Sequence, residues 1–210
     1  MPSNSFIPIV YLHLLGGTAL TFASSEYPLA HGLLYTIGMI VVSFILLFVL
    51  LAQSPGPLKY GVAALYCAVI GQLLSSFVKS LEHKQILIQV MASVLGIFLG
   101  MTLVGFFDNQ NILGFGGYLI AGLLGLIVAR IGLLIAYGVG ANAASISSLN
   151  KILSWIGTAL FAVFVAFDTQ QLKTKNTENS TKKPDYVNSS LSLYLDIINL
   201  FQNVGDVMKG

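Results

Sequence analysis

Charged residues are scarce in this 210-residue chain, where they make up 9% of the sequence, against about a quarter in soluble globular domains. Hydrophobic residues make up 56%, so a soluble fold would have too little polar surface to cover itself. The sequence also lacks a hydrophilic stretch of domain size. We therefore predict an integral membrane protein whose function lies within its membrane helices.

Cysteine and histidine are scarce as well. The single cysteine, Cys67, excludes an internal disulfide framework and a cysteine-based metal cluster. The three histidines are not clustered, so we expect no transition-metal site. The net charge of only +2 excludes the basic surface that nucleic-acid binding needs. We expect no nucleic-acid partner and no bound cofactor.

What the chain does contain is a series of seven apolar runs, each close to the roughly 20 residues that cross a 30 Å hydrocarbon core. The only charged residues inside these runs are Lys59, Arg130 and Asp196. The sequence predicts an all-α polytopic membrane protein, a monomer in the lipid bilayer with one seven-transmembrane-helix domain over residues 1–210. The predicted helices span residues 6–23, 29–52, 58–78, 86–107, 112–138, 152–167 and 187–205. The sixth run is short, and an earlier start near Ile146 stays open.

The longer connections cover residues 139–151 and 169–186, and the polar composition of the second predicts a solvated loop. Lysines give a slight bias in orientation. With seven spans, five lysines fall on the side of the N-terminus: Lys59, Lys173, Lys175, Lys182 and Lys183. Four fall on the opposite side: Lys79, Lys84, Lys151 and Lys209. The positive-inside rule then favours a cytosolic N-terminus.

Asp196 is the most informative residue, because it lies deep in the last apolar run. A carboxylate near the bilayer centre costs about 2.5–3.5 kcal/mol on insertion scales, so such a residue usually faces the bundle interior and is functional. Polar residues at spacings of three and four place it on one polar helix face: Ser189, Ser192, Asp196, Asn199 and Asn203. This face either lines a pathway or packs against another polar helix, and a purely structural hydrogen-bonding role for Asp196 stays open.

A second carboxylate, Asp168, follows the sixth apolar run on the face of Gly157, Phe161 and Phe164. It is either functional or simply the first polar residue past the membrane boundary. If Asp168 and Asp196 meet at about 4 Å, two negative charges repel by roughly 4 kcal/mol at an effective dielectric constant of 20. One proton would then be shared between the two carboxyls, and the pair would titrate as a unit. The same oxygens suit Ca²⁺.

Two segments resemble the transmembrane Bax inhibitor motif family: GTALFAVFVAFDTQQL at residues 157–172 and SLSLYLDIINLFQN at residues 190–203. The resemblance implies a pH-sensitive calcium leak channel that modulates calcium stores and cell death, with a central polar-faced last helix. Asp168 and Asp196 fall on the family's pH-sensing gate pair, which would bind Ca²⁺ transiently.

The resemblance also implies further roles and a location. Ser189, Ser192, Asn199 and Asn203 would line the pathway, and Lys59 is the candidate counter-ion to the aspartates. The partners would be calcium ions and membrane proteins that regulate cell death. The membrane would be the endoplasmic reticulum, Golgi or plasma membrane in a eukaryotic or viral setting, and the inner membrane in a bacterium.

Some features depart from the family pattern or allow other functions. Arg130 is not expected from the resemblance and either snorkels to a helix end or pairs with an acidic group. A histidine, His83 or His31, is an alternative origin of pH sensitivity. The protein is not expected to be an enzyme. A non-conducting membrane regulator or scaffold is one alternative function. An intramembrane aspartyl protease is a weaker one, because residues 193–196 lack the glycines of its motif.

Overall fold

The computed structural model describes residues 5–30, 32–107, 112–178 and 184–209. Seven α-helices run through this part of the chain, and a 3-10 turn at Ile112–Phe115 precedes the fifth. The all-α prediction is confirmed. The helices are α1 (Phe6–Glu26), α2 (Leu33–Ala52), α3 (Pro57–His83), α4 (Leu87–Phe107), α5 (Gly116–Gly138), α6 (Ala143–Glu178) and α7 (Tyr186–Lys209).

The helices are long enough to cross a bilayer. Six segments of the described chain, α1 to α6, combine sufficient length with an apolar composition. The prediction of a polytopic membrane protein is therefore confirmed. Helix α7 has 24 residues, which at about 1.5 Å per residue also exceeds a 30 Å hydrocarbon core. Its polar face lowers its hydropathy, and for this reason it differs in composition from the other six.

Burial separates the helices into two kinds. In α2 the only buried residue is Leu50, and in α5 the buried residues are Leu119 and Leu126. The remaining side chains of these two helices are mostly apolar and face outward, as expected for contact with lipid. In α7, by contrast, only Gln202 and Met208 are exposed. Most side chains of the polar-faced last helix are therefore buried or half-buried.

The sixth helix is much longer than the sequence predicted. We expected it to span residues 152–167, but α6 begins at Ala143 and ends at Glu178. At its start, Asn142 caps the helix by accepting a hydrogen bond from the backbone N–H of Ala144 at 2.9 Å. At its end, the predicted solvated loop is wrong over residues 169–178, because glutamine, leucine and lysine favour the helix and Leu172 is buried. Polar composition indicated exposure to water, which a helix tolerates as well as a loop.

The helices fall into two compact units. The first unit contains α1, α2, α3 and the segment Leu172–Tyr194. The second contains α4, α5, most of α6 and the segment from Leu195 onward. The prediction of a single domain over residues 1–210 stays a prediction.

In the first unit, α1 and α3 approach closely where α3 has a glycine. A Cβ atom at Gly71 would lie 2.8 Å from the Cβ of Ser24, so a larger residue would push the helices apart. The next residue, Gln72, binds the chain that follows α1. Its Nε2 donates to the backbone oxygen of Ser24 at 2.7 Å. Its Oε1 accepts from the backbone N–H of Leu29 at 2.8 Å and from the Tyr35 hydroxyl at 3.0 Å. One amide thus joins α3 to the end of α1, the connection that follows it and α2.

In the second unit, a glycine again allows two helices to approach. A Cβ atom at Gly105 of α4 would lie 2.5 Å from the backbone oxygen of Ala166 and 2.8 Å from the Cβ of Thr169. Gly116, at the start of α5, is in turn close to the ring of Phe167. Both contacts are within three residues of Asp168. Helix α6 is therefore tightly held at the level of the first candidate site residue.

Candidate functional site

The structure brings the two predicted aspartates together. Asp168 lies inside α6 rather than at its end, and Asp196 lies near the middle of α7. Their carboxyl groups lie close enough to interact with each other. Asp196 is 4% exposed, whereas Asp168 is half-buried. The pair is thus a carboxyl–carboxyl contact within the membrane helices, with one member enclosed by protein.

This contact has a chemical requirement. An ionised carboxylate only accepts hydrogen bonds, so two carboxyl groups can bond to each other only if one of them carries a proton. A hydrogen bond between Asp168 and Asp196 would therefore require that the pair share a proton. The second oxygen of Asp196, Oδ2, has no hydrogen-bond partner among the described residues. A buried acceptor of this kind is available to a donor or a cation that reaches it.

The other predicted residues of α7 do face inward. Ser189 and Asn203 are buried, and Ser192 and Asn199 are half-buried. The two asparagines donate to their own helix: Nδ2 of Asn199 lies 2.8 Å from the backbone oxygen of Leu195, and Nδ2 of Asn203 lies 2.7 Å from that of Asn199. Their amide nitrogens are therefore occupied, and their amide oxygens are the atoms directed away from the helix axis.

Asn203 binds the arginine that the sequence left unexplained. Nη2 of Arg130 donates to Oδ1 of Asn203 at 2.7 Å and to the hydroxyl of Ser154 at 3.2 Å. Nη1 lies 3.8 Å from a carboxylate oxygen of Asp206 and 3.4 Å from the side-chain oxygen of Asn150. Of the two interpretations, pairing with an acidic group is the one observed. We call these five residues the Arg130 cluster.

Lys59 has a different partner from the predicted one. Its ammonium group lies 2.6 Å from Asp185 and donates to the backbone oxygen of Gln53 at 2.8 Å. The Lys59 side chain is 1% exposed and that of Asp185 is 27% exposed. Asp185 also caps α7, since its Oδ1 accepts from the backbone N–H of Asn188 at 3.1 Å. The counter-ion of Lys59 is thus the N-cap of α7, which corrects the expected pairing with the aspartate pair.

Three of these polar residues were not predicted from the sequence, although a signal existed for one. Asp206 follows Asn203 by three residues and so continues the polar face of α7, but the apolar run ended at residue 205. Ser154 lies in an apolar run, where an isolated serine usually bonds its own backbone. Asp185 lies among polar residues, so its pairing with a lysine far away in the sequence had no local signal. His31, an alternative pH sensor, and the lysines at 182 and 183 lie outside the described residues.

Comparison with known proteins identifies the family. Residues 3–210 match the family model described as Inhibitor of apoptosis-promoting Bax1. The chain belongs to the Bax inhibitor-1 family. The match includes both segments that carry the resemblance, and so it confirms the family predicted from the residues around Asp168 and Asp196.

Bacterial members of the Bax inhibitor-1 family are similar over most of the chain. The inner membrane protein YbhL of Escherichia coli strain K12 is 31% identical over 178 residues, which cover 80% of this chain and 71% of YbhL. A protein of Borreliella burgdorferi is 28% identical over 214 residues, covering 94% and 88%. One from Deinococcus radiodurans is 30% identical over 188 residues, covering 88% and 74%.

These comparisons agree with the location that the helices indicate. The name of YbhL assigns that relative to the inner membrane of a bacterium. This chain has six long apolar helices in its described part. It is therefore an integral membrane protein of the Bax inhibitor-1 family.

Proposed function

We propose that this protein is a pH-sensitive calcium leak channel, gated by the Asp168–Asp196 pair. The observation that carries the proposal is the approach of these two carboxyl groups to each other, inside two membrane helices of a Bax inhibitor-1 family member. The proposed function is transport rather than catalysis. By releasing calcium, the protein would lower the content of the compartment that the membrane encloses, and thereby influence calcium-dependent cell death.

The shared proton provides the closed state. While one carboxyl is protonated, Asp168 and Asp196 attract each other and hold α6 against α7. When that proton leaves, two negative charges face each other, and at about 4 Å they repel by roughly 4 kcal/mol at an effective dielectric constant of 20. This repulsion exceeds the roughly 1.5–3 kcal/mol that a hydrogen bond to a charged group contributes. The pair would therefore separate as pH rises.

The open state would offer oxygen atoms to the ion. Ca²⁺ prefers carboxylate, carbonyl and amide oxygens. The ionised pair supplies carboxylates, and Asn199 supplies an amide oxygen because its nitrogen bonds to its own helix, whereas the oxygen of Asn203 accepts from Arg130. The inward polar face of α7, with Ser189 and Ser192 earlier on the helix, is the proposed lining. The Ca²⁺ ion is the cargo here, held transiently by Asp168 and Asp196.

Calcium flux into liposomes that contain only the purified protein tests the proposal. The wild-type protein should conduct, and Asp196→Asn should sharply reduce the flux, because an amide removes both the repulsion that opens the gate and a carboxylate for the ion. Glu26→Gln is a matched control, since it removes one acid from an exposed position. Circular dichroism and the thermal midpoint in detergent establish that each variant is folded.

Each other outcome assigns a different function. Absence of flux from well-folded wild-type protein would favour a non-conducting regulator that acts through membrane protein partners. Normal flux from the Asp196→Asn protein would remove Asp196 from the pathway. Cleavage of a membrane peptide that requires both aspartates would indicate an intramembrane protease instead.

A further inference from the structure

The Arg130 cluster is a second charged site on α7, separate from the aspartate pair. Arg130 lies in α5, eight residues before Gly138, so its Cα is about 12 Å inside the helix end at 1.5 Å per residue. A charged residue at such a depth faces either the bundle interior or a water-filled cavity. The Arg130 side chain is 35% exposed and contacts polar groups of α6 and α7. We call the partly exposed polar surface around its guanidinium group the recess.

The charges around this recess do not balance. The carboxylate of Asp206 lies 3.8 Å from Arg130 and 4.0 Å from Lys209. The ammonium group of Lys84 in turn donates to the backbone oxygen of Lys209 at 2.5 Å. Of these four described side chains three are basic and one is acidic, and Arg130 and Lys209 are the two that pair with Asp206. Over these four described residues the recess is positively charged.

The recess lies on the same polar face of α7 as the aspartate pair. Asp206 follows Asp196 by ten residues, which corresponds to about 15 Å along the helix. Asn199 and Asn203 occupy the turns between them, and Asn203 is itself bound to Arg130. An ion that follows this face from the aspartate pair towards the end of α7 reaches the guanidinium group next.

We infer that Arg130 is a fixed electrostatic barrier to cations at the C-terminal end of α7, in series with the aspartate gate. This inference rests on the proposed function and adds the residue that limits the rate of calcium flux. Arginine side chains and helix dipoles exclude cations from other membrane pores by the same means. Asp206 lowers the barrier by partial neutralisation, and Asn203, Ser154 and Asn150 hold the guanidinium in place. The protein therefore passes calcium slowly even when the aspartate pair is ionised.

Two substitutions that break the same ion pair should change flux in opposite directions. Arg130→Gln removes the barrier and should raise Ca²⁺ flux about fivefold at low salt, which is the Coulomb effect of one unit charge on a divalent ion roughly 8 Å away in water. For Na⁺, which carries a single charge, the same substitution should raise the flux only about twofold. Asp206→Asn leaves the cations without their neutralising partner and should lower the flux below that of the wild type. Both differences should shrink at high salt because of screening.

Two further variants distinguish an effect of the Arg130 charge on flux from an effect of its packing. Arg130→Lys keeps the charge but loses the planar fork that reaches several acceptors, so its flux should stay near the wild-type value even if its thermal midpoint falls. Lys151→Gln is the matched control, because it removes an exposed cation next to Asn150 in the sequence without touching the cluster. If Arg130 only joins α5 to α6 and α7, the glutamine, lysine and asparagine variants will all change flux in the same direction, and the inference is overturned.

A second measurement does not depend on conduction. In a Cys67→Ala background, Asn150→Cys introduces a thiol beside the guanidinium group. An anionic thiosulfonate reagent should label it faster than a cationic one of the same size, and adding Arg130→Gln should reduce the preference. This result supports the positive, water-accessible recess even if the wild-type protein carries no calcium, in which case only the proposed function fails. Equal labelling rates, or no labelling by either reagent, would overturn the recess itself.

Discussion

The amide group of Asn203 on α7 lies directly against Gly157 on α6, leaving no room there for a side chain. A Cβ atom at Gly157 would lie 2.6 Å from Cγ of Asn203, closer than real side-chain atoms approach. The oxygen of the same amide accepts the 2.7 Å hydrogen bond from Arg130. The absence of a side chain at one position of α6 is therefore what allows α7 to hold the arginine.

Adding a single methyl group at this contact should be costly. We expect Gly157→Ala to destabilise the protein by about 1–3 kcal/mol, the usual cost of overpacking a well-packed interior, and to displace the amide from Arg130. Thermal unfolding in detergent measures this effect. Gly96→Ala is the control, because a Cβ atom there meets nothing within 4 Å, and its thermal midpoint should equal or slightly exceed that of the wild type. Equal midpoints for the two variants would contradict the close contact.

The pH dependence of calcium flux should depend on both members of the aspartate pair. In the wild type, flux should rise with pH as the shared proton is lost and the carboxylates repel each other. Asp168→Asn leaves one carboxyl facing a neutral amide, so the repulsion never develops and the pH dependence should be flat. The measurement is flux against pH in liposomes, with Glu82→Gln at an exposed site as the control. A transition with the normal midpoint in the Asp168→Asn protein would assign the pH sensor to another group, such as His83.

Removing either member of the Lys59–Asp185 pair should lower the free energy of unfolding, but by different amounts. Asp185→Asn leaves an ammonium group that is 1% exposed without its counter-ion, and this should cost about 3–5 kcal/mol. Lys59→Met leaves a carboxylate that is 27% exposed and can be hydrated, so it should cost less.

The double variant tests whether these effects have one origin. If the buried charge is responsible for the cost, Lys59→Met combined with Asp185→Asn should be more stable than Asp185→Asn alone. The free energies of unfolding of all four proteins complete the cycle. If the losses of stability in the two single variants simply add in the double variant, the two side chains act independently despite the 2.6 Å contact.

The sequence predicted those parts of the fold that depend on local periodicity. Spacings of three and four placed Asp196 and Asn203 on one face of α7, and the structure buries both. Composition could not locate the end of α6, because the segment after Asp168 is polar in either a helix or a loop. The structure continues α6 to Glu178, which puts Asp168 inside the helix and beside Asp196.

Partners that lie far apart in the sequence were beyond prediction from one chain. Lys59 was expected to be the counter-ion of the aspartate pair, but its partner is Asp185, which lies more than a hundred residues away and has no distinguishing neighbour. Arg130 was likewise singled out, while its acceptor Asn203 was assigned to the pathway. In both cases the sequence indicates that a buried charge needs compensation, and only the fold shows which group provides it.

The position of Gln72 has a consequence for how the chain enters the membrane. Its amide bonds are made with groups from the end of α1, the connection that follows it and the start of α2. All of these groups precede α3 in the sequence and leave the ribosome first. When α3 is inserted, its polar side chain therefore meets preceding segments that already offer donors and acceptors. The direction of synthesis thus supplies the partners before the amide must leave water.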